Sequence, residues 1–186
     1  MQITKHLWFP EKVYNVQINE NVCDEIIELV EKDKITWKKN LKNVQALTSG
    51  WNGTRYPIIK SLSDHITKDI LPEIGKDQSW KYNNWQTDDA WINFYQEKDE
   101  AFAHNHQGCH YCAVLIVKPS NGNLIFCHRG LIEKDNTSFK NYEMQEINEK
   151  KGSLILFPQN MYHYVSACTS ERITVAFNFV NNSIED

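Results

Sequence analysis

Nowhere in the 186 residues is there an apolar run of the roughly 20 residues that a membrane-crossing helix needs. The longest aliphatic stretches, residues 113–117 and 154–157, are only strand-length. The first ten residues lack a cationic start, an apolar segment and a small-residue cleavage site, so they predict no secretory signal and a cytoplasmic protein. Basic charge is also short: 20 Lys plus Arg stand against 24 Asp plus Glu, for a net charge of −4 and no dense basic block. A partner bound through its phosphate backbone would need a basic face, which disfavours nucleic acid. Seven glycines, five prolines and no internal repeat exclude collagen-like and low-complexity chains. The cysteines, Cys23, Cys109, Cys112, Cys127 and Cys168, are odd in number and scattered, and they read as reduced thiols rather than a disulfide framework. The N-x-S/T triplets at Asn52, Asn136 and Asn181 are then coincidental.

What remains is an ordinary globular composition, 41% hydrophobic and 24% charged, on a chain of single-domain length. Val22, Ile26, Leu29 and Val30 recur at helical spacing and predict a helix over residues 19–32. Leu62, Ile66 and Ile70 predict a second over residues 61–75, ended or kinked by Pro72. Residues 48–54, with two glycines and polar neighbours, read as a loop. After Trp85 the period becomes two: Trp91, Asn93 and Tyr95 alternate with Ile92 and Phe94. Residues 112–118 and 123–127 flank Asn121-Gly122 and predict a hairpin with positive φ at its turn. Residues 152–157, 162–166 and 171–180 add three strands. The expected architecture is α+β, one domain over 1–186, with mostly helical support in 1–85 and a jelly-roll core of six to eight antiparallel strands in 86–182.

Three imidazoles and a cation stand out on the strands. His104 and His106, two apart in extended chain, point to one face, and His163 on a later strand can complete a facial set of ligands with open positions. Such a set suits Fe, Zn, Cu or Ni. On the last strand Arg172 and Thr174 share one face while Ile173, Val175, Phe177 and Phe179 share the other, so the strand reads as half buried. A simple hairpin through residues 167–170 would place His163 and Val165 opposite Thr174 and Arg172, setting a guanidinium beside a metal ligand. A guanidinium fork with a neighbouring hydroxyl suits a carboxylate, so the predicted ligand is a small dicarboxylate that also chelates the metal.

These residues resemble the 2-oxoglutarate- and Fe(II)-dependent oxygenase superfamily, whose pattern is H-x-D/E, a distal His, and an Arg followed two residues later by Ser or Thr. His163-x8-Arg172-x-Thr174 has that spacing. The similarity extends over residues 90–95, 152–158 and 172–178, and is greatest to the prolyl-4-hydroxylase-like branch. Within it lies a group with an early Phe-Pro (Phe9-Pro10), a Gly-Trp (Gly50-Trp51) and His-x-His in place of His-x-Asp. The resemblance implies a double-stranded β-helix, and Fe(II) held by His104, His106 and His163. It implies 2-oxoglutarate held by Arg172 and Thr174, with Tyr95 and its neighbour Asn93 supplying further polar contacts. It also implies oxidative decarboxylation of 2-oxoglutarate by O2, coupled to hydroxylation of a C–H bond in a peptide or small molecule. A prolyl or other amino-acid side chain is the leading substrate class.

The chain departs from the pattern where His106 replaces the usual carboxylate. The competing view there has Asp99, Glu100 or water fill the third position. Cys109-x2-Cys112 suggests a structural zinc site instead, but that reading leaves the Arg172 and Thr174 spacing unexplained. A non-catalytic metal- or ligand-binding module on a cupin-like fold is the alternative to an enzyme. Asn178 stands where DNA-repair relatives carry a second Arg, which again disfavours nucleic acid. His65, His110 and His128 read as ordinary surface or core histidines, Arg129 as a surface cation, and Trp91 as a wall residue.

Overall fold

In the computed structural model, residues 3–8, 11–32, 35–39, 43–81, 84–127 and 145–182 are described. Phe9-Pro10, His128 and Arg129 lie outside them. Apolar alternation after Trp85 becomes a chain of strands that passes back and forth between two sheets, with only one consecutive pair among the described residues sharing a sheet. β5 (Trp85–Tyr95), β7 (Tyr111–Lys118), β10 (Ser153–Pro158) and β12 (Arg172–Asn181) belong to a large sheet. β6 (Ala101–His104), β8 (Leu124–Cys127), β9 (Gln145–Glu146) and β11 (Tyr162–Val165) form a small one, in the order β6-β11-β8-β9. All pairings between these strands are antiparallel. Strand-to-strand passage between two facing sheets is the jelly-roll expected.

That passage overturns both predicted hairpins. β7 and β8 lie in different sheets, as do β11 and β12. Neither Asn121 nor Gly122 takes a positive φ. Gly122 is needed instead for close approach: a Cβ there would stand 2.6 Å from the Ser166 carbonyl oxygen and from Cys168 Sγ. His163 consequently pairs with His104 and Phe126, while Thr174 pairs with Asn93 and Ile116. The ligand strand and the Arg172 strand face each other across the barrel rather than lying side by side.

Residues 3–17, inside the segment expected to be mostly helical, form β1 (Ile3–Trp8) and β2 (Glu11–Gln17). β2 pairs with β10, and the large sheet runs β1-β2-β10-β7-β12-β5 before ending in the two-residue strands β4 (Leu47–Thr48) and β3 (Lys38–Lys39). α1 (Glu20–Glu31) is capped by the Asn19 side chain, which accepts from Asn21 N–H at 3.0 Å. α2 (Pro57–His65) runs through a wide turn at Ile66–Ile70 into α3 (Leu71–Gln78). Pro72 sits in the first turn of α3 and does not end the helix, because the widened turn upstream absorbs the hydrogen bond that proline cannot make.

Two apolar layers follow. Ile26, Ile59, Ile66 and Ile70 of the helices pack on Ile92, Leu115, Val175 and Phe177 of the large sheet. Trp91, Tyr95, Val114 and Phe157 pack between the sheets against Phe126 and Val165. β12 is therefore buried on both faces, not half buried, and Arg172 to Phe179 are all buried. With helices on one side and the small sheet on the other, both sets of alternating residues lose contact with water.

Candidate metal and co-substrate site

β6 ends at His104, and His106 follows in a loop whose N–H donates to Gln159 O at 3.1 Å. His163 on β11 lies directly across from His104. The ring centroids are 4.5 Å (His104–His163), 5.1 Å (His106–His163) and 5.4 Å (His104–His106) apart, and one nitrogen from each comes within 4.8 Å of the others. Each Nδ1 has an acceptor: Phe102 O at 2.7 Å for His104, Met161 O at 3.1 Å for His163 and Asn178 Oδ1 at 2.7 Å for His106. Nδ1–H is thereby fixed, and all three Nε2 lone pairs are left for a cation. Burial lowers the pKa of each, to about 4 for His106, so the neutral ligating form holds at pH 7. The donor set fits Fe(II).

The structure thus brings together His104, His106 and His163 as the spacing predicts. Among the described residues no other group of three His, Cys, Asp or Glu side chains converges, and neither Asp99 nor Glu100 joins this one. Asp99 instead caps a turn, accepting from Gln96 N–H at 2.8 Å. Cys109 and Cys112 are buried with sulfurs 3.4 Å apart, and among the described residues no third His, Cys, Asp or Glu joins this thiol pair as a structural zinc site would require.

The second predicted group is assembled by the β5–β12 ladder, which pairs Arg172 with Tyr95 and Thr174 with Asn93. All four are buried. Asn93 Nδ2 lies 3.5 Å from Thr174 Oγ1, and Asn93 Oδ1 and Arg172 Nε have no hydrogen-bond partner. The rest of the Arg172 fork is taken: Nη2 donates to Glu149 Oε1 at 2.9 Å, Nη1 donates to Glu149 Oε2, and Nη1 also reaches Gly122 O at 2.8 Å. Burial would push the guanidinium down, and the Glu149 carboxylate more than offsets it, so the pKa is raised. Glu149 also accepts from Leu124 N–H at 2.6 Å. Sequence reasoning missed Glu149, which belongs to a charged run before Gly152 that reads as a solvated loop.

A cavity of about 370 Å³ opens at the histidines, lined among others by Trp51, Asp89, Trp91, His104, His106 and Asn178. Trp91 stacks on His106 at 5.8 Å, and Trp51, 49% exposed, meets Trp91 edge-on at 4.6 Å. Trp51 is placed by the tight approach of its loop to β5: Ala90 N donates to Trp51 O at 3.0 Å, and a Cβ on Gly53 would stand 2.6 Å from Ala90 O. Burial and neighbouring Asp88 raise the Asp89 pKa, opposed by a hydrogen bond from Asn178. A second cavity, about 310 Å³ beside Trp80, Trp85 and Tyr111, holds none of the three histidines.

Residues 89–178 match the family model for 2OG-Fe(II) oxygenase. No curated protein matches the chain in sequence. Among solved structures, a Pseudomonas putida prolyl-4-hydroxylase aligns with a TM-score of 0.68 at 11% identity, over 91% of this chain and 92% of that one. The viral collagen prolyl hydroxylase of Paramecium Bursaria Chlorella virus-1, in its 2OG complex, gives 0.61 at 12% identity over 90% and 94%. A Trichoplax adhaerens prolyl hydroxylase bound to a hypoxia inducible factor peptide fragment gives 0.66 at 13% identity over 91% and 78%. At such identities the likeness is one of fold, the double-stranded β-helix. The family match over residues 89–178 and the three imidazoles converging inside the barrel point to an enzyme of the 2OG-Fe(II) oxygenase class, one that uses iron and 2-oxoglutarate.

Proposed function

We propose that this oxygenase hydroxylates a C–H bond of a prolyl or other amino-acid side chain. The observation that carries this reading is the mouth itself, where exposed Trp51 stands edge-on to Trp91 and Trp91 stacks on His106. Proline-containing segments dock in aromatic-lined grooves, where a preformed chain loses little entropy on binding. A substrate laid on Trp51 comes to rest beside the His106 edge of the donor set.

His104, His106 and His163 hold Fe(II), which when bound supplies the oxidising chemistry with O2 and 2-oxoglutarate. Arg172 and Thr174 bind the distal carboxylate of 2-oxoglutarate, and Asn93 and Tyr95 line the same wall. The unpartnered Arg172 Nε–H supports an accepting ligand such as a carboxylate at this wall, because a buried donor without a partner is costly. Phe126 and Phe157 close the inner side of His163 with ring contacts at 6.0 and 4.8 Å, keeping water from that face. The test is incubation of the Fe(II)-loaded protein, 2-oxoglutarate and O2 with proline-containing peptides, the same peptides lacking proline, and free amino acids. Gain of one oxygen atom on a peptide side chain, lost in Trp51→Ala, is expected. Oxygen incorporation only into free small molecules, or at an unchanged rate in Trp51→Ala, overturns the substrate class.

A further inference from the structure

The three candidate ligands are not held alike. His104 and His163 donate Nδ1–H to backbone carbonyls, which can only accept, so their tautomers need no further support. His106 donates to a side-chain amide, and an amide can present either its oxygen or its NH2. Were Asn178 reversed, its NH2 would face His106 Nδ1. The proton would then move to Nε2, where it blocks coordination. Something must hold the amide with its oxygen toward His106.

That group is on the neighbouring strand. Asp89 lies directly across from Asn178 in the β5–β12 ladder. The register slips immediately beyond this pair, with Phe179 opposite Thr87, leaving Asp88 as the extra residue of a bulge. The two-residue period of β5 carries Asp89 onto the face of Trp91, Asn93 and Tyr95, and Asp89 lines the cavity with His106 and Asn178. Directly cross-strand and on the same cavity wall, the Asn178 amide stands beside the Asp89 carboxylate, whose pKa it helps to hold down. A carboxylate accepts only, so it takes the NH2 and repels the amide oxygen, turning that oxygen toward His106.

We propose that Asp89 is a positioning residue for the metal site: through the Asn178 amide it holds His106 in the Nδ1–H form and places a negative charge behind the one imidazole that stands where a carboxylate is usual. The Asp89–Asn178–His106 chain is a longer version of the carboxylate–histidine pairs that orient metal ligands and raise their basicity. It rests on His106 being a ligand, as proposed above.

Two measurements separate the inference from that reading. In the metal-free protein, imidazole nitrogen NMR is expected to show His106 protonated at Nδ1, with Asp89→Asn producing a mixture of tautomers while His104 and His163 are unchanged. In Co(II) titrations, Asp89→Asn is expected to weaken binding about 10- to 100-fold, the usual effect of losing an outer partner of a ligand. Asp89→Asn combined with Asn178→Asp, which moves the carboxylate one step inward, is expected to restore binding with no change in melting temperature. An unchanged His106 tautomer in Asp89→Asn, or wild-type Co(II) affinity in that variant, overturns the role of Asp89. Equal loss of Co(II) affinity in the single and the double variant does so too. Full Co(II) affinity in His106→Ala, together with the His106 tautomer shift in Asp89→Asn, overturns His106 as a ligand and leaves the hydrogen-bond chain intact.

Discussion

The Glu149 carboxylate lies in the fork of the Arg172 guanidinium, with the two side chains only 1% and 0% exposed. In that position it holds the place that the distal carboxylate of 2-oxoglutarate takes in the proposed site. An internal carboxylate and the co-substrate then compete for one cation. Glu149→Gln keeps an oxygen for Leu124 N–H and removes the competing charge. Its expected effect is a 2-oxoglutarate dissociation constant at least about tenfold lower, about 1.4 kcal/mol, measured by anaerobic titration. An unchanged or weaker affinity shows that Glu149 supports the co-substrate rather than displacing it.

Arg172→Met removes the cation and also strands Glu149 without a partner. Breaking a buried pair by losing one member costs about 3–5 kcal/mol of stability, and loss of the distal carboxylate contact costs about 2–5 kcal/mol of binding. The two effects separate in the double variant with Glu149→Gln. Thermal unfolding is expected to recover much of the stability, while 2-oxoglutarate binding stays weak and Fe(II) binding persists.

His106→Ala is expected to lose metal affinity as severely as His104→Ala, and His106→Asp to retain iron. Asp99→Ala and Glu100→Ala are expected to retain full metal content, since neither carboxylate reaches the donor set. Metal analysis after dialysis reads all five variants. Full iron in His106→Ala contradicts the three-histidine site.

Burial lowers the pKa of His104, His106 and His163 in the folded chain. Below about pH 6.5, the ordinary value for histidine, the unfolded chain takes up protons that the folded chain refuses. Stability of the metal-free protein is therefore fully present above that pH and falls as pH drops toward about 4, the folded value for His106. Melting temperature followed from pH 8 to 4 is expected to be flat, then to decline below about 6.5, and His163→Gln is expected to flatten the decline.

The metal site was legible in sequence because its information is local: His104 and His106 are two apart, and the spacing from His163 through Arg172 to Thr174 is fixed by one turn and one strand. The faces of β12 and β5 were legible too, since a period of two places Thr174 with Arg172 and Asn93 with Tyr95. Sheet assignment was not. Apolar strands joined by short turns read equally as hairpins or as crossings between sheets, and only tertiary packing sends β8 and β11 to the small sheet. β1 and β2 escaped notice because residues 3–17 mix charged and apolar positions, as an edge of a sheet does. Glu149 and Asp89 escaped for a different reason. Each acts on a residue far along the chain, Arg172 and Asn178, and a lone carboxylate in a polar stretch carries no sign of its partner.

As proposed, this barrel turns over 2-oxoglutarate at a three-histidine iron site. Protein loaded anaerobically with Fe(II) and 2-oxoglutarate, then exposed to O2, is the direct measurement, with succinate and CO2 quantified against a His163→Ala control. Equal yields of succinate and CO2 in the wild type and none above background in His163→Ala are expected; tight Fe(II) binding with no succinate from the wild type, with or without peptide, would show that the site binds iron without turning over 2-oxoglutarate.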